Sequence, residues 1–188
     1  MVFATNNSHK LQEVRKILPS SITIESLKDI GCFEELPESG STILSNALQK
    51  AHYIYDKFGL NCFADDTGLE VILLGGRPGV YSARFAGPDC DSSENIKKLL
   101  IEMKGINDRR ALFRTVIALI NDGTENFFEG VIYGTIAEEP RGLNGFGYDS
   151  VFIPKDNVKT FSEMTDNEKN QISHRAIAVK KLADYLIR

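Results

Sequence analysis

Two long apolar stretches, Ala111 to Ile120 and Phe127 to Ala137, flank Asn121-Asp122-Gly123, and this pairing narrows the fold more than any other feature of the chain. An Asp-Gly step between β-rich segments is the signature of a tight hairpin, because its residues accept the positive φ angles that match the twist of the strands. The sheet therefore contains a long antiparallel pair late in the sequence and cannot be purely parallel.

The rest of the chain alternates helical and extended patterns around that hairpin. Val2 to Ala4 opens as a short strand, the polar run Thr5-Asn6-Asn7-Ser8-His9 follows, and a helix then carries Leu11, Val14, Ile17 and Leu18 on one stripe. Ile22-Thr23-Ile24 alternates like a second strand. After an acidic loop (Glu34, Glu35, Glu38), Ser39-Gly40-Ser41-Thr42 supplies N-cap residues for a helix that buries Leu44, Ala47, Leu48, Ala51, Ile54 and Phe58 and stops at Gly59. Cys62-Phe63-Ala64 reads as a buried strand ending in Asp65-Asp66-Thr67-Gly68, with Leu69 to Leu74 as a further extended segment. Gly75 to Gly87 reads as an ordered loop, Asp91 or Ser92 caps a helix ended by Gly105, and Gly142 to Pro154 is rich in glycine and aromatics. The C-terminus is helical from about Thr165, opening with the capping box Thr165-x-x-Glu168. The expected class is α/β, a mixed sheet flanked by helices, in one domain over residues 1–188.

Bulk properties exclude several classes of function. A net charge of -4 with no basic run leaves no face for duplex nucleic acid, so any phosphate binding is local. Cys32, Cys62 and Cys90 are widely spaced, lack a C-x-x-C pair and have no nearby His, which points to reduced packing residues rather than zinc. No stretch approaches the roughly 20 apolar residues of a membrane span, and the N-terminal residues have no basic region leading into an apolar one. The expected compartment is the cytosol.

Four strings carry residues suited to chemistry. Thr5-Asn6-Asn7-Ser8-His9-Lys10 places donors and a cation where a strand hands over to a helix, an arrangement that attracts anions, although a plain helix cap would look the same. Asp65 and Asp66 are adjacent carboxylates; strand side chains alternate in direction, so separate roles follow unless the chain is already turning at Gly68. Magnesium needs only one or two carboxylates plus waters and phosphates, and Glu38 is a further candidate; an Asx turn closing the strand is the structural alternative. Gly145-Phe146-Gly147-Tyr148-Asp149 offers close backbone approach and aromatic faces for a base, or else a core turn with buried aromatics. On one continuous helix His174 and Arg175 would lie about 140° and 240° around from Lys169, so a break near Ile172, with Ser173 capping a second helix, is expected. That puts two basic residues in a first helical turn, unfavourable unless an anion or acceptor meets them.

Taken together, A-T-N-N-S-H-K at 4–10, Glu38-Ser39-Gly40, F-A-D-D-T-G-L at 63–69, G-V-Y-S-A-R-F-A-G at 79–87, G-F-G-Y-D at 145–149 and I-S-H-R at 172–175 resemble the inosine triphosphate pyrophosphatase family, also called XTP/dITP diphosphatases. The resemblance implies an elongated α/β fold of two lobes with the nucleotide in the cleft, a homodimer, and Mg2+ as cofactor. It further implies that ITP, dITP and XTP are cut to the monophosphate and pyrophosphate. By the same resemblance Thr5, Asn6, Asn7, Ser8, His9 and Lys10 hold the triphosphate. Glu38 and Asp66 serve the metal with Asp65 in support, and Asp66 accepts the proton. Thr67, Phe146, Gly147, Tyr148, Asp149, Lys169, His174 and Arg175 contact substrate. Two small departures are Thr67, where many relatives have Ser, and Ser150, where Pro is frequent. Lys10 and Lys169 are expected to act on phosphate irrespective of base, and Arg175, helped by His174, to donate to the 6-oxygen of the purine. Rival readings are a nucleotide-binding module without turnover and a pyrophosphatase acting on dTTP, UTP or modified pyrimidine nucleotides.

Overall fold

The computed structural model describes residues 1–187. Six strands form one mixed sheet in the order β1 (Val2–Phe3), β2 (Cys62–Val71), β4 (Arg110–Asn121), β5 (Thr124–Ile136), β6 (Phe152–Pro154), with β3 (Pro78–Gly79) on β2. β1 runs parallel to β2, whereas β3 on β2 and β6 on β5 are antiparallel. The helices are α1 (Ser8–Ile17), α2 (Ile43–Phe58), α3 (Ser92–Glu102), α4 (Asp166–Ile172) and α5 (His174–Leu186). The hairpin turn is the expected one: β4 ends at Asn121, β5 begins at Thr124, and Asp122 and Gly123 between them have φ of 48° and 76°.

Local chemistry explains most helix ends. Asn7 caps α1 by accepting from the His9 and Lys10 N–H groups, and Thr42 and Ser45 cap α2 reciprocally. Gly59 closes α2 in the left-handed conformation, with φ of 64°. The capping box of Thr165 and Glu168 opens α4 as read from the sequence. The break beyond Ile172 is real as well: α4 ends there, Ser173 is extended at φ -66° and ψ 155°, and α5 starts at His174.

Three expectations are corrected. Ile22 to Ile24 is not a strand; the residue after it, Glu25, makes a parallel bridge to Val2. The strand begun at Cys62 does not end at the aspartates but continues to Val71, and Ile72 to Leu74 is a 3-10 turn. Hydrophobic patterning misplaced that end because Asp65 and Asp66 look like strand terminators, whereas here buried cations accept them inside the sheet. The glycine-rich segment before Pro154 hides the short strand β6.

The chain divides into two compact units. Unit 1 comprises Met1–Asp66, Thr115–Gly130 and the chain from His174 onward; unit 2 comprises Thr67–Arg114 and Val131–Ser173. Unit 1 holds two cores. In one, Ala47, Ala51 and Ile54 of α2 pack with Cys62, Ala64 and Ile120; in the other, Phe3, Val14 and Phe63 pack with Val179 and Leu182 of α5. The core of unit 2 gathers Leu69, Leu99, Phe113, Phe152 and Phe161, with Tyr148 among them. No described helix is long and apolar enough to cross a membrane.

Candidate active site

Continuation of β2 through the aspartates fixes what they can do, because neighbouring strand side chains point to opposite faces. Asp65, 1% exposed, faces Lys10 of α1, whose Nζ lies 3.1 Å from Oδ1, and Arg175 of α5, whose Nε lies 3.2 Å from Oδ2. Arg175 also donates through Nη1 to Glu13 of α1. Asp66, 7% exposed, faces α2 instead: Asn46 Nδ2 donates to its Oδ2 at 3.1 Å, and Lys50 Nζ stands 3.9 Å from Oδ1. Lys50 Nζ donates to Glu38 as well, so one ammonium lies between the carboxylates of Glu38 and Asp66. All of these residues belong to unit 1.

The two aspartates are driven in opposite directions. Burial would raise the Asp65 carboxyl, but Lys10, Arg175 and Lys50 outweigh it and hold it well below the usual range. At Asp66 burial dominates, Lys50 and Lys10 offset it only in part, and the carboxyl stands above its ordinary value. Glu38 is less enclosed; burial opposes its ionisation, yet Lys50 and Lys10 together keep it below normal. Burial also lowers the Lys10 ammonium, against the pull of Asp65. Arg175 is itself desolvated, but Asp65 and Glu13 more than restore its charge.

Around this cluster the first polar string folds mainly onto the protein. Asn7 Oδ1 occupies the N–H groups of His9 and Lys10, at 2.9 and 3.2 Å, and the Asn7 N–H donates to Thr5 Oγ1 at 3.2 Å. Asn6 reaches the backbone of residues 34 and 36, while Ser8 and His9 are exposed. Among the described residues no group of three or more His, Cys, Asp or Glu side chains converges as a metal cage.

Unit 2 contains the second cluster. Gly145 and Gly147 take φ of 78° and 59°, and a Cβ on Gly145 would stand 2.2 Å from Asp149 Oδ2, so only glycine lets the turn close on that carboxylate. Asp149 Oδ2 accepts from the Phe146 N–H at 2.9 Å and from Lys169 Nζ at 2.6 Å. The ammonium lies 5.0 Å from the Phe146 ring centroid and 5.5 Å from that of Phe161. Lys169 and Asp149 are both buried, and Phe146 is half-buried. Tyr148 is a core residue: it is 5% exposed, its hydroxyl donates to the Ser82 carbonyl at 2.8 Å, and burial pushes the phenol far up. Of the two aromatics read as a base plate, Tyr148 is buried in the core and Phe146 is half-buried beside the Lys169 ammonium.

The sequence strings thus fall into two groups. Lys10, Glu38, Asp65, Asp66 and Arg175 come together in unit 1, where His174 is also buried, and Phe146, Tyr148, Asp149 and Lys169 come together in unit 2. Thr67, half-buried, follows Asp66 as the first residue of unit 2. Sequence reasoning missed Lys50, Asn46 and Glu13. For Lys50 a signal was present: it falls on the stripe Ile43, Ala47, Lys50, Ile54, the core face of α2, and a lysine there is 4% exposed with two carboxylates to meet it.

Comparison with known proteins adds the wider context. The Ham1 family's sequence model matches residues 1–185. A Porphyromonas gingivalis protein named dITP/XTP pyrophosphatase is 53% identical over 188 residues, covering 100% of this chain and 97% of that one. A Bacillus subtilis protein of the same name is 48% identical over 189 residues, with 98% and 96% covered. Among solved structures, the Staphylococcus aureus Ham1 protein superposes with a TM-score of 0.89 at 36% identity, and a Coxiella burnetii Ham1 protein with 0.90 at 38%; each comparison covers 99% of this chain and 97% of the other.

Proposed function

This chain belongs to the Ham1 family, and we propose on that premise that it hydrolyses dITP, ITP and XTP to the monophosphate and pyrophosphate. One observation carries the chemistry: adjacent aspartates with opposed environments, Asp65 locked between Lys10 and Arg175 and Asp66 kept basic by burial beside Glu38 and Lys50. Pairs whose surroundings drive their affinities for protons apart mark the acid and base roles.

Asp66 accepts the proton of the water that attacks the α-phosphorus, as the bond from that phosphorus to the bridging oxygen of the pyrophosphate breaks. Lys10 carries charge toward the phosphates, while Asp65 holds Lys10 and Arg175 in place. Lys50 orients Asp66 and Glu38 from the core face of α2. Glu38 and Asp66 fit magnesium: both are hard carboxylates gathered on one cation, and magnesium needs one or two such groups beside waters and phosphates. Bound there, the metal would offset the charge of the departing pyrophosphate.

We place base reading in unit 2, where Lys169 lies beside the half-buried ring of Phe146; burial and carboxylate partners do not separate the two cations, since Arg175 is held by Asp65 and Glu13 and Lys169 by Asp149. Lys169, fixed by Asp149 beside Phe146, is the donor for a purine 6-oxygen; an adenine amino group would set donor against donor. The family resemblance supports a homodimer, and the net charge of -4 fits an enzyme with no nucleic-acid partner. The test is product analysis over dITP, ITP, XTP, dATP, dGTP, dTTP and UTP, with and without chelator. Pyrophosphate and monophosphate from the deaminated purines, abolished by chelator and restored by magnesium, are expected. Preference for dTTP or UTP would mark a pyrimidine enzyme, full activity in chelator would remove the metal, and binding without turnover would leave a binding module.

A further inference from the structure

We infer that Asn6 is a positioning residue that fastens the loop carrying Glu38 to the segment opening α1. Residues 31–41 contain neither helix nor strand, so the place of Glu38 is not set by a backbone ladder. Side-chain amides set it instead. Asn6 Nδ2 donates to the Glu34 carbonyl at 3.0 Å and its Oδ1 accepts from the Leu36 N–H at 3.0 Å, so both ends of one amide engage alternate residues of the loop, as a neighbouring strand would. On the far side, Gln49 Oε1 accepts from the Ser39 N–H and its Nε2 donates to Ser39 Oγ, each at 2.9 Å. Asn46 Oδ1 accepts from the Gly40 N–H at 2.8 Å while the same side chain holds Asp66. Only Pro37 and Glu38 lie between these anchors, and the φ of Pro37 is restricted by its ring. Leu36, the residue gripped by Asn6, is buried in the core beside α2, so the anchor is tied to a rigid body.

One of the two Nδ2–H groups of Asn6 and its Oδ1 are engaged by the loop, so Asn6 serves Glu38 first, and the KM for dITP decides whether the second N–H also meets phosphate. The placement also gives the segment Thr5 to Lys10 a second use: the stretch that presents Lys10 holds the loop that presents Glu38, so the phosphate side and the metal side of the site share one fixture. The inference rests on the proposed role of Glu38 in holding magnesium.

Three measurements on Asn6→Ala and Asn6→Asp test it. These are amide hydrogen exchange over residues 34–38, magnesium affinity by titration calorimetry, and the KM for dITP at saturating magnesium. Asn6→Ala is expected to speed exchange at Leu36, to weaken magnesium roughly tenfold, as the loss of a group supporting a metal ligand does, and to leave KM near wild type. Asn6→Asp keeps an acceptor for the Leu36 N–H but sets a carboxylate against the Glu34 carbonyl, so it is expected to fall between the two. Unchanged exchange over 34–38, or a raised KM with unchanged magnesium affinity, overturns the inference, the second result making Asn6 a phosphate contact. If wild-type protein shows no turnover, the proposed activity fails by itself; exchange and calorimetry still decide what Asn6 does.

Discussion

The charged cluster of unit 1 and the Lys169–Asp149 pair of unit 2 handle buried charge in different ways. In unit 1, Lys10, Glu13, Glu38, Lys50, Asp65, Asp66 and Arg175 form a linked network drawn from α1, α2, β2, α5 and one loop. Cations and carboxylates alternate, with Asp65, Arg175 and Lys50 each meeting two opposite charges, and removing one member shifts the others. In unit 2 the Lys169–Asp149 ion pair lies beside Phe146 and Phe161, and the Phe146 N–H also donates to Asp149. A network suits a polyanion whose charge changes during reaction, since it contains groups pushed both ways in proton affinity. A fixed pair suits recognition, because it holds its donor in one place. Unit 1 should therefore be blind to the base, and unit 2 should read it.

The sharpest break of that comparison lies inside β2. Asp66→Asn is expected to lower the rate of pyrophosphate release from dITP by on the order of 10² or more, the contribution of a general base. It should not destabilise the fold. The Asp66 carboxyl is raised in the folded protein, so folding favours its protonated form, and the ionised form costs stability as pH rises through the folded value. The amide removes that cost: the variant's denaturation midpoint near neutral pH should equal or exceed that of wild type, with the gap closing in acid. Near-full activity at saturating magnesium would take the base role from Asp66.

Asp65→Asn is the opposite case and ranks next. It takes away the carboxylate that meets Lys10 and one of those that meet Arg175, and breaking a buried pair costs roughly 3–5 kcal/mol. The sign with pH is also reversed: Asp65 is depressed, so its contribution is present above the ordinary aspartate range and fades as pH falls toward the folded value. Denaturant titrations at several pH values should show a large deficit near neutrality that shrinks in acid. Equal stability of the two Asn variants near neutral pH would erase the distinction between the faces of β2.

How much of this was legible in the sequence follows from what local patterning encodes. The Asp122-Gly123 hairpin and the caps at Thr42 and Thr165 are local, and short-range rules found them; the break before His174 was expected instead because Lys169, His174 and Arg175 could not converge on one continuous helix. That Asp65 and Asp66 meet different partners followed from strand alternation. The end of β2 was misread because its aspartates are tolerated only through Lys10, Arg175 and Lys50, partners 55, 110 and 15 or 16 positions away. The pairing of Arg175 with Glu13 and Asp65 was not legible, because tertiary structure alone brings those carboxylates to it. Tyr148 and Phe146 look alike in sequence, and only packing makes one a core residue.

A smaller effect compares the two lysines. Lys10→Met is expected to lower kcat/KM for dITP and dATP by the same factor, about 1.5–3 kcal/mol for a hydrogen bond to a charged group, because a charge at phosphate carries no information about the base. Lys169→Met should instead narrow the dITP to dATP ratio by loss on dITP. Equal losses from Lys169→Met on both nucleotides would return Lys169 to the phosphate side and dissolve the division of labour between the units.

The smallest effect separates recognition from packing within unit 2. Tyr148→Phe removes one hydroxyl, which donates to the Ser82 carbonyl at 2.8 Å inside the core. The expected cost is about 1 kcal/mol of stability, the net worth of a buried hydrogen bond, because the ring remains and the Ser82 carbonyl loses its partner. The ratio of kcat/KM for dITP and dATP should not move, since the hydroxyl faces protein and not ligand. Phe146→Leu keeps apolar bulk but loses the flat face beside the Lys169 ammonium, so it should shift that ratio while changing stability little for a half-buried side chain. The two variants together discriminate between a core turn and a base plate. A changed ratio in Tyr148→Phe, measured beside an unchanged one in Phe146→Leu, would exchange the roles of the two rings and move base reading to the buried side of the turn.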